Sequence, residues 1–193
     1  LILFAKKNDI LLINDNPYSF ILNDDFVSLL YVNNAKEVAM ELNSLSKSFN
    51  LSGWRVGMLL GSKDNIAKVL KIKSNMDSGM FYGIQKGAIQ ALSLEDSWFN
   101  SLNIKYEKRR KLIWELVTNL GCDFDKNSKG LFVWAKLPEG FKNSEKFIDS
   151  ILKDKKIFIA PGTIFGSEGE GYIRFSLCID EEKIIEAIKR CKK

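Results

Sequence analysis

From Glu95 to Leu120 the apolar residues Trp98, Leu102, Ile104, Tyr106, Leu112, Ile113, Leu116 and Val117 recur at helical spacing, and the run stops at Gly121. A helix of about 26 residues exceeds the usual globular length, so it reads as a strut between two parts of the chain. We therefore expect one domain over residues 1–97 and a second over 98–193, with the long helix at 95–120 connecting them. Residues 1–9 read as the end of a helix. Three short apolar segments follow, Ile10–Asn14, Glu37–Asn43 and Arg55–Gly61, suited to a buried parallel or mixed sheet. Between the first two lies a polar stretch, residues 19–36, whose apolar island Phe26–Val32 has no clear period. Lys63–Asn75 and Phe81–Ser93 have helical periodicity, with Ser78-Gly79 as the break.

Beyond the strut the pattern alternates: strand at Leu131–Leu137, helix at Ser144–Lys153, strands at Ile157–Ala160 and Gly171–Cys178, helix at Glu181–Cys191. That is an α+β unit of roughly 95 residues, large enough for its own core. Its core is expected to take Phe147, Ile148, Ile151 and Leu152 from one helix and Ile184, Ile185 and Ile188 from the other, on spacing alone. No internal repeat or low-complexity linker interrupts the chain.

Composition removes several kinds of chemistry. The chain has no histidine, so a Ser-His-Asp triad, a Cys-His pair and a histidine-ligated zinc site are unavailable to these residues. Its three cysteines, Cys122, Cys178 and Cys191, have no C-x-x-C spacing and read as buried or incidental thiols in a reducing cytoplasm. The net charge of +5 is spread over lysines interleaved with apolar residues at helical spacing, which fits solvated helix faces better than a nucleic-acid surface. No apolar run reaches the roughly 18 residues of a spanning helix, and no signal peptide opens the sequence, so a cytoplasmic location is expected.

The segment with the most chemistry is Ser44-Leu45-Ser46-Lys47, followed by Gly53-Trp54-Arg55-Val56-Gly57. Lys47 falls in a turn between two apolar strands, where partial burial disfavours the ammonium form and an amine nucleophile becomes available. Upstream, Leu11-Leu12-Ile13-Asn14-Asp15-Asn16-Pro17-Tyr18 ends an apolar run on Asp-x-x-Tyr. Downstream stand Pro161-Gly162-Thr163-Ile164-Phe165-Gly166 and Gly169-x-Gly171-Tyr172-Ile173-Arg174-Phe175-Ser176. Each element has an ordinary reading as well. Asn-Asp-Asn-Pro is good turn chemistry, Arg55 could form a surface ion pair, and Arg174, expected to be buried within the apolar strand Tyr172–Leu177, requires an anion that an internal carboxylate could supply.

Taken together and in this order, the three motifs resemble those of the fold type I pyridoxal-phosphate-dependent aminotransferases, the class I/II group that includes aspartate aminotransferase. The resemblance implies an α/β fold: the carboxyl-terminal part of a large mixed-sheet domain that binds the cofactor, followed by the complete small α+β domain. It implies a Schiff base between Lys47 and pyridoxal phosphate, with Lys47 also carrying the proton in catalysis. Asp15 would face the pyridine nitrogen, Tyr18 the ring 3-oxygen, and Ser44 and Arg55 the phosphate. Arg174 would take the substrate's α-carboxylate, a planar match for a guanidinium. No metal is implied.

The implied partners are an L-amino acid, a 2-oxo acid and a second copy of the full-length chain in a homodimer, with neither nucleic acid nor membrane involved. The sequence starts at Leu1 without a methionine and lacks the family's glycine-containing phosphate loop, its ring-stacking aromatic residue and its asparagine near the 3-oxygen. A fragment is therefore expected, about half of a two-domain chain, binding the cofactor weakly or not at all by itself. Dicarboxylate-specific members use a second arginine, and Asp77–Tyr82, near the matching place, contains none. Residues 73–81 are similar to the branch with LL-diaminopimelate and broad-range aminotransferases. A carbon-sulfur β-lyase or decarboxylase on the same scaffold, or a ligand-sensing domain of a transcription regulator, would keep the same residues.

Overall fold

Helix α1 (Ile2–Lys7) and strand β1 (Leu12–Asp15) open a computed structural model that describes residues 1–192. Its contacts divide into two units, Leu1–Phe99 and Asn100–Lys193, and the division falls inside the long helix.

In the first unit β1 pairs in parallel with β2 (Ala39–Ser44), which pairs antiparallel with β3 (Gly57–Leu60). A parallel pair needs a long crossover, and residues 16–38 provide it. The apolar island within it forms a short 3-10 turn at Leu29–Tyr31, and a second follows at Ala35–Glu37. Ile2, Ala35 and Ala39 form a small core under this crossover, with Leu12, Leu29, Leu30 and Val38 packed against it. A lysine–glutamate pair, Lys6 to Glu37 at 2.7 Å, joins α1 to the second turn.

Glu41 is the polar centre of this arrangement. Only 6% exposed on the middle strand, its carboxylate accepts from Asn14 Nδ2 at 3.2 Å, Ser28 Oγ at 2.8 Å and the Leu29 backbone N–H at 2.9 Å. All three bonds converge on Oε2, which makes the burial tolerable and fastens the crossover to the sheet.

The mixed sheet agrees with expectation, but its burial does not. Ile13, Leu42 and Leu60 are exposed, and helix α3 (Lys63–Met76) has no buried residue among those described. A single-turn helix α2 (Leu45–Ser48) sits between β2 and β3. Arg55 lies outside β3 in the left-handed region, with φ at 55°, so the strand starts two residues later than the apolar pattern suggests. Helix α4 (Tyr82–Leu92) follows α3 after Gly79, whose φ of 116° suits a glycine. Helix α5 (Asp96–Asn119) is the strut, and it stops before Gly121, with φ at 74°.

The second unit is an antiparallel sheet in the order β4 (Asp123–Phe124), β5 (Phe132–Lys136), β7 (Tyr172–Ser176), β6 (Ala160–Pro161). Its helices are α6 (Ser144–Lys155) and α7 (Glu181–Cys191). Alternation along the strands buries Val133, Ala135, Ile173 and Phe175, with Phe147, Ile148 and Ile151 from α6, Ile184 and Ile188 from α7, and Ile113, Leu116 and Val117 from α5.

Two expectations are corrected here, and one strand carried no signal. Leu152 and Ile185 are exposed, because each lies on the border of its helix's apolar stripe. The strand expected at 157–160 pairs only at Ala160 and Pro161, a two-residue edge strand with Ile157–Ile159 outside the ladder. The two-residue β4 has too few residues for any period to be read.

The connection from β6 to β7 is drawn tight. A Cβ built on Gly162 would lie 2.0 Å from the Gly169 carbonyl oxygen, so only glycine allows this approach. Glu170 then caps the start of α6: its Oε1 accepts from the Ser144 N–H at 2.7 Å and the Gly171 N–H at 2.9 Å. These backbone donors, that of Ser144 foremost, hold the Glu170 carboxyl below the usual range.

Glu41→Ala should lower stability by about 1–3 kcal/mol, because three donors lose a buried acceptor, and Glu41→Gln by less; urea unfolding followed by tryptophan fluorescence measures both. Glu170 has a lowered folded pKa, so its contribution is in place above the ordinary glutamate value, near pH ~4.3, and disappears as pH falls through the folded value. Glu170→Gln should therefore lower the unfolding midpoint at neutral and alkaline pH, where the contribution is in place, and flatten the acid side of the midpoint-against-pH profile.

Candidate active site

Parallel pairing places the carboxyl ends of β1 and β2 at one edge of the first sheet, Asp15 being level with Leu42. In open α/β sheets this edge is where ligands bind. Asp15 is exposed there at the last position of β1. The Asn16 N–H bonds the Leu42 carbonyl at 2.9 Å, and the chain then turns through Pro17 so that Tyr18 meets the end of β2. Lys47 Nζ lies 5.9 Å from the centre of the Tyr18 ring.

The lysine turn is built by backbone bonding. Leu45 donates its N–H to Val56 at 3.1 Å, and its carbonyl accepts from Leu51 at 3.2 Å, so residues 46–55 fold back as a closed loop. Ser44 ends β2 opposite Gly57, where a Cβ would come within 2.9 Å of the Asn43 carbonyl oxygen. Its hydroxyl accepts from the Ser46 N–H at 3.1 Å, lies 2.9 Å from Ser46 Oγ and reaches the Val56 carbonyl at 3.4 Å. Arg55, exposed at the far end of the loop, donates from Nη1 to the Ser52 carbonyl at 3.0 Å. The fold thus gathers Asp15, Tyr18, Ser44, Lys47 and Arg55 at one sheet edge. Ser46 belongs with them, a second hydroxyl that the motif spacing contained but that drew no role from sequence reasoning.

Three contacts that hold this loop have no signal in the motif itself. Trp54 lies against Gly87 of α4, so closely that a Cβ there would fall 2.1 Å from the indole ring. Trp98, at the start of α5, donates its indole N–H to the Ser48 carbonyl at 3.0 Å, and Phe99 meets Phe49 edge-on at 5.4 Å. The long helix therefore secures the end of α2.

Arg174 belongs to the second unit. It points to the sheet face opposite the core, half-buried, with its Cζ 4.1 Å from the centre of the Phe132 ring and 3.8 Å from that of Phe165. Full burial, expected from the apolar strand, is not observed, because alternation turns Arg174 away from Ile173 and Phe175. No carboxylate pairs with it among the described residues. A cavity of about 720 Å³ in this unit runs along α5, α7 and residues 156–160; of the six candidate residues only Arg174 contributes to its wall. Its acids and bases, Lys156, Glu182, Lys183, Glu186 and Arg190, are all exposed. Among the described residues no cluster could hold a metal ion and no helix is long and apolar enough to cross a membrane. The cysteines are free; burial pushes the Cys122 thiol up to about 12 and also raises that of Cys191.

The family model for aminotransferase class I and II matches residues 1–191. The chain belongs to this family. Its members depend on pyridoxal phosphate, and the donor set at the sheet edge fits that group: a primary amine beside a phenol, a carboxylate on the neighbouring strand end, and hydroxyls and a guanidinium around one turn. An LL-diaminopimelate aminotransferase of Halothermothrix orenii is 41% identical over the whole of this chain and 50% of its own length. One from Gloeobacter violaceus is 40% identical over 97% of this chain and 48% of its own length. Among solved structures, apo BacF of Bacillus subtilis superposes with a TM-score of 0.89 at 34% identity, over 98% of this chain and 49% of that one. An aminotransferase from Staphylococcus aureus gives 0.87 at 34% identity, over 98% of this chain and 50% of that one. The chain spans about half the length of the curated relatives it matches.

Replacing Trp98 by Phe keeps the ring but removes the donor to Ser48. Backbone amides of residues 48–51 should then exchange with solvent about five- to tenfold faster, as loss of one hydrogen bond implies, with those of β5 and β7 unaffected; hydrogen–deuterium exchange reads both.

Proposed function

We propose that this chain is the lysine-bearing part of an aminotransferase that moves an amino group between an L-amino acid and a 2-oxo acid. The observation that carries the reading is the grouping of Lys47, Tyr18, Asp15, Ser44, Ser46 and Arg55 at the carboxyl ends of two parallel strands. Pyridoxal phosphate, when bound, supplies an electron sink for the bond broken at the substrate's α-carbon.

The chain's own residues do the rest. Lys47 would hold the cofactor through its amine and would carry a proton to and from the substrate's α-carbon. Asp15 keeps the ring nitrogen protonated through charge, and Tyr18 donates its phenol to the ring oxygen. Ser44, Ser46 and Arg55 supply donors to the phosphate, the arginine with charge assistance. Arg174 receives the substrate carboxylate.

We read residues 1–97 as part of the large cofactor-binding domain and 98–193 as the small domain. The uncovered apolar groups on the first sheet and on α3, together with relatives twice as long, support a role within a longer polypeptide; we propose that it works in the cytoplasm as a homodimer. The diaminopimelate relatives, and the lack of an arginine at Asp77–Tyr82, favour an amino donor other than a plain dicarboxylate.

The test joins these 193 residues to the half of the Halothermothrix relative that they do not cover. Borohydride fixation with pyridoxal phosphate should label Lys47 in the peptide map, and Lys47→Ala should abolish the label and lower turnover by about 10²–10⁴-fold. With an amino acid and 2-oxoglutarate the joined protein should form glutamate; release of pyruvate and ammonia without an oxo acid would instead establish elimination. The chain alone should take up less than one equivalent of cofactor, and stoichiometric uptake would overturn its dependence on further residues.

A further inference from the structure

The guanidinium of Arg174 is held by aromatic faces instead of acids. Phe132 on β5 and Phe165 in the tight β6–β7 connection both lie about a van der Waals distance beyond its Cζ, at 4.1 and 3.8 Å. Its five N–H donors have no acceptor among the described residues, although acids pair with Arg109 and Arg110 on α5. A stacked ring attracts a guanidinium through the ring's negative face and leaves the in-plane donors available. A carboxylate partner would occupy those donors and oppose the approach of a second anion.

Phe165 is itself supported. Trp134 meets it edge-on at 5.8 Å and stacks on Tyr172 at 5.6 Å, all on the sheet face that carries Arg174. The Gly162–Gly169 approach and the Glu170 cap on α6 close the connection in which it lies.

We propose that Phe132 and Phe165 are positioning residues that hold the Arg174 guanidinium in one plane, with its donors open, as a fork for a planar carboxylate. The inference rests on the aminotransferase reading only in naming that carboxylate as the substrate's. Selection follows from it: a ligand must offer two coplanar oxygens along the edge of the guanidinium, and a lysine at 174 would not reproduce the site.

The test uses the 193-residue chain, ¹⁵N-labelled, with propionate as the carboxylate probe. Arg174→Lys identifies the Arg174 Nε–Hε resonance by its loss. In the wild type that resonance should be ring-shifted and should move on titration with propionate. Phe132→Leu and Phe165→Leu should each return it toward the free-arginine position and weaken propionate binding about five- to tenfold, a range set by the loss of one cation–π face. Phe165→Tyr, which keeps the face, should restore both, and Phe141→Leu, elsewhere in the unit, should change neither. Folded leucine variants, with backbone spectra otherwise unmoved, that keep the shift and bind propionate as the wild type does would overturn the proposal. A ring-shifted resonance that ignores propionate would overturn the fork as well. A failed cofactor label at Lys47 with carboxylate binding intact would overturn the aminotransferase reading alone.

Discussion

Everything at the sheet edge depends on the parallel pairing of β1 with β2. Had the two strands run antiparallel, Asp15 and Ser44 would stand at opposite edges, and no loop of this length could bring the carboxylate to the lysine. Parallel strands require a crossover, and a crossover of irregular backbone must be fixed to the sheet by something other than its own ladder. Glu41 does this from the middle strand, accepting from Asn14 on one side and from the Ser28 hydroxyl and the Leu29 N–H on the other. The parallel register and the buried acid are thus one device.

The lysine turn shows why a motif can be read before its support can. Ser44, Lys47 and Arg55 lie within twelve residues of one another, and their types suit anion and aldehyde chemistry, so the order of residues carried most of that information. Trp98 and Gly87 reach the same turn from helices whose own periodicity concerns only their faces. Nothing in local spacing could assign an indole N–H to the carbonyl of residue 48, since that pairing exists only once the chain has closed. Arg55 is a related case. Its apolar successors suggest a strand, yet the turn needs a left-handed residue just before β3, and the cost of that conformation in a non-glycine residue is about 1–2 kcal/mol.

Element boundaries followed the strength of the local pattern. Helix α7 was readable to the residue because acids at its start, bases at its end and three isoleucines agree with one another. At β6 the apolar run Ile157–Ala160 is real, but an edge strand pairs only as far as its neighbour's free groups permit, and the ladder takes in only Ala160 and Pro161. The first sheet is the larger departure. Its apolar segments were rightly taken as strands, whereas burial depends on what lies across from them, and a period says nothing about that.

The arginines of the second unit separate structural from functional use of one side chain. Arg109 reaches Asp180, Glu181 and the Leu177 carbonyl, joining α5 to the start of α7 and helping, after Lys108, to lower the Glu181 carboxyl. Those bonds engage all three of its nitrogens. Arg174 has the same side chain in a strand whose register partners are Trp134 and Ala160, neither of which can accept from it. The sequence argument that a cation in an apolar strand requires an anion omitted a third option, the face of a ring. Aromatic faces lower the cost of a half-buried charge without consuming a hydrogen bond, so the strand can carry an arginine that is ordered and still open to an anion.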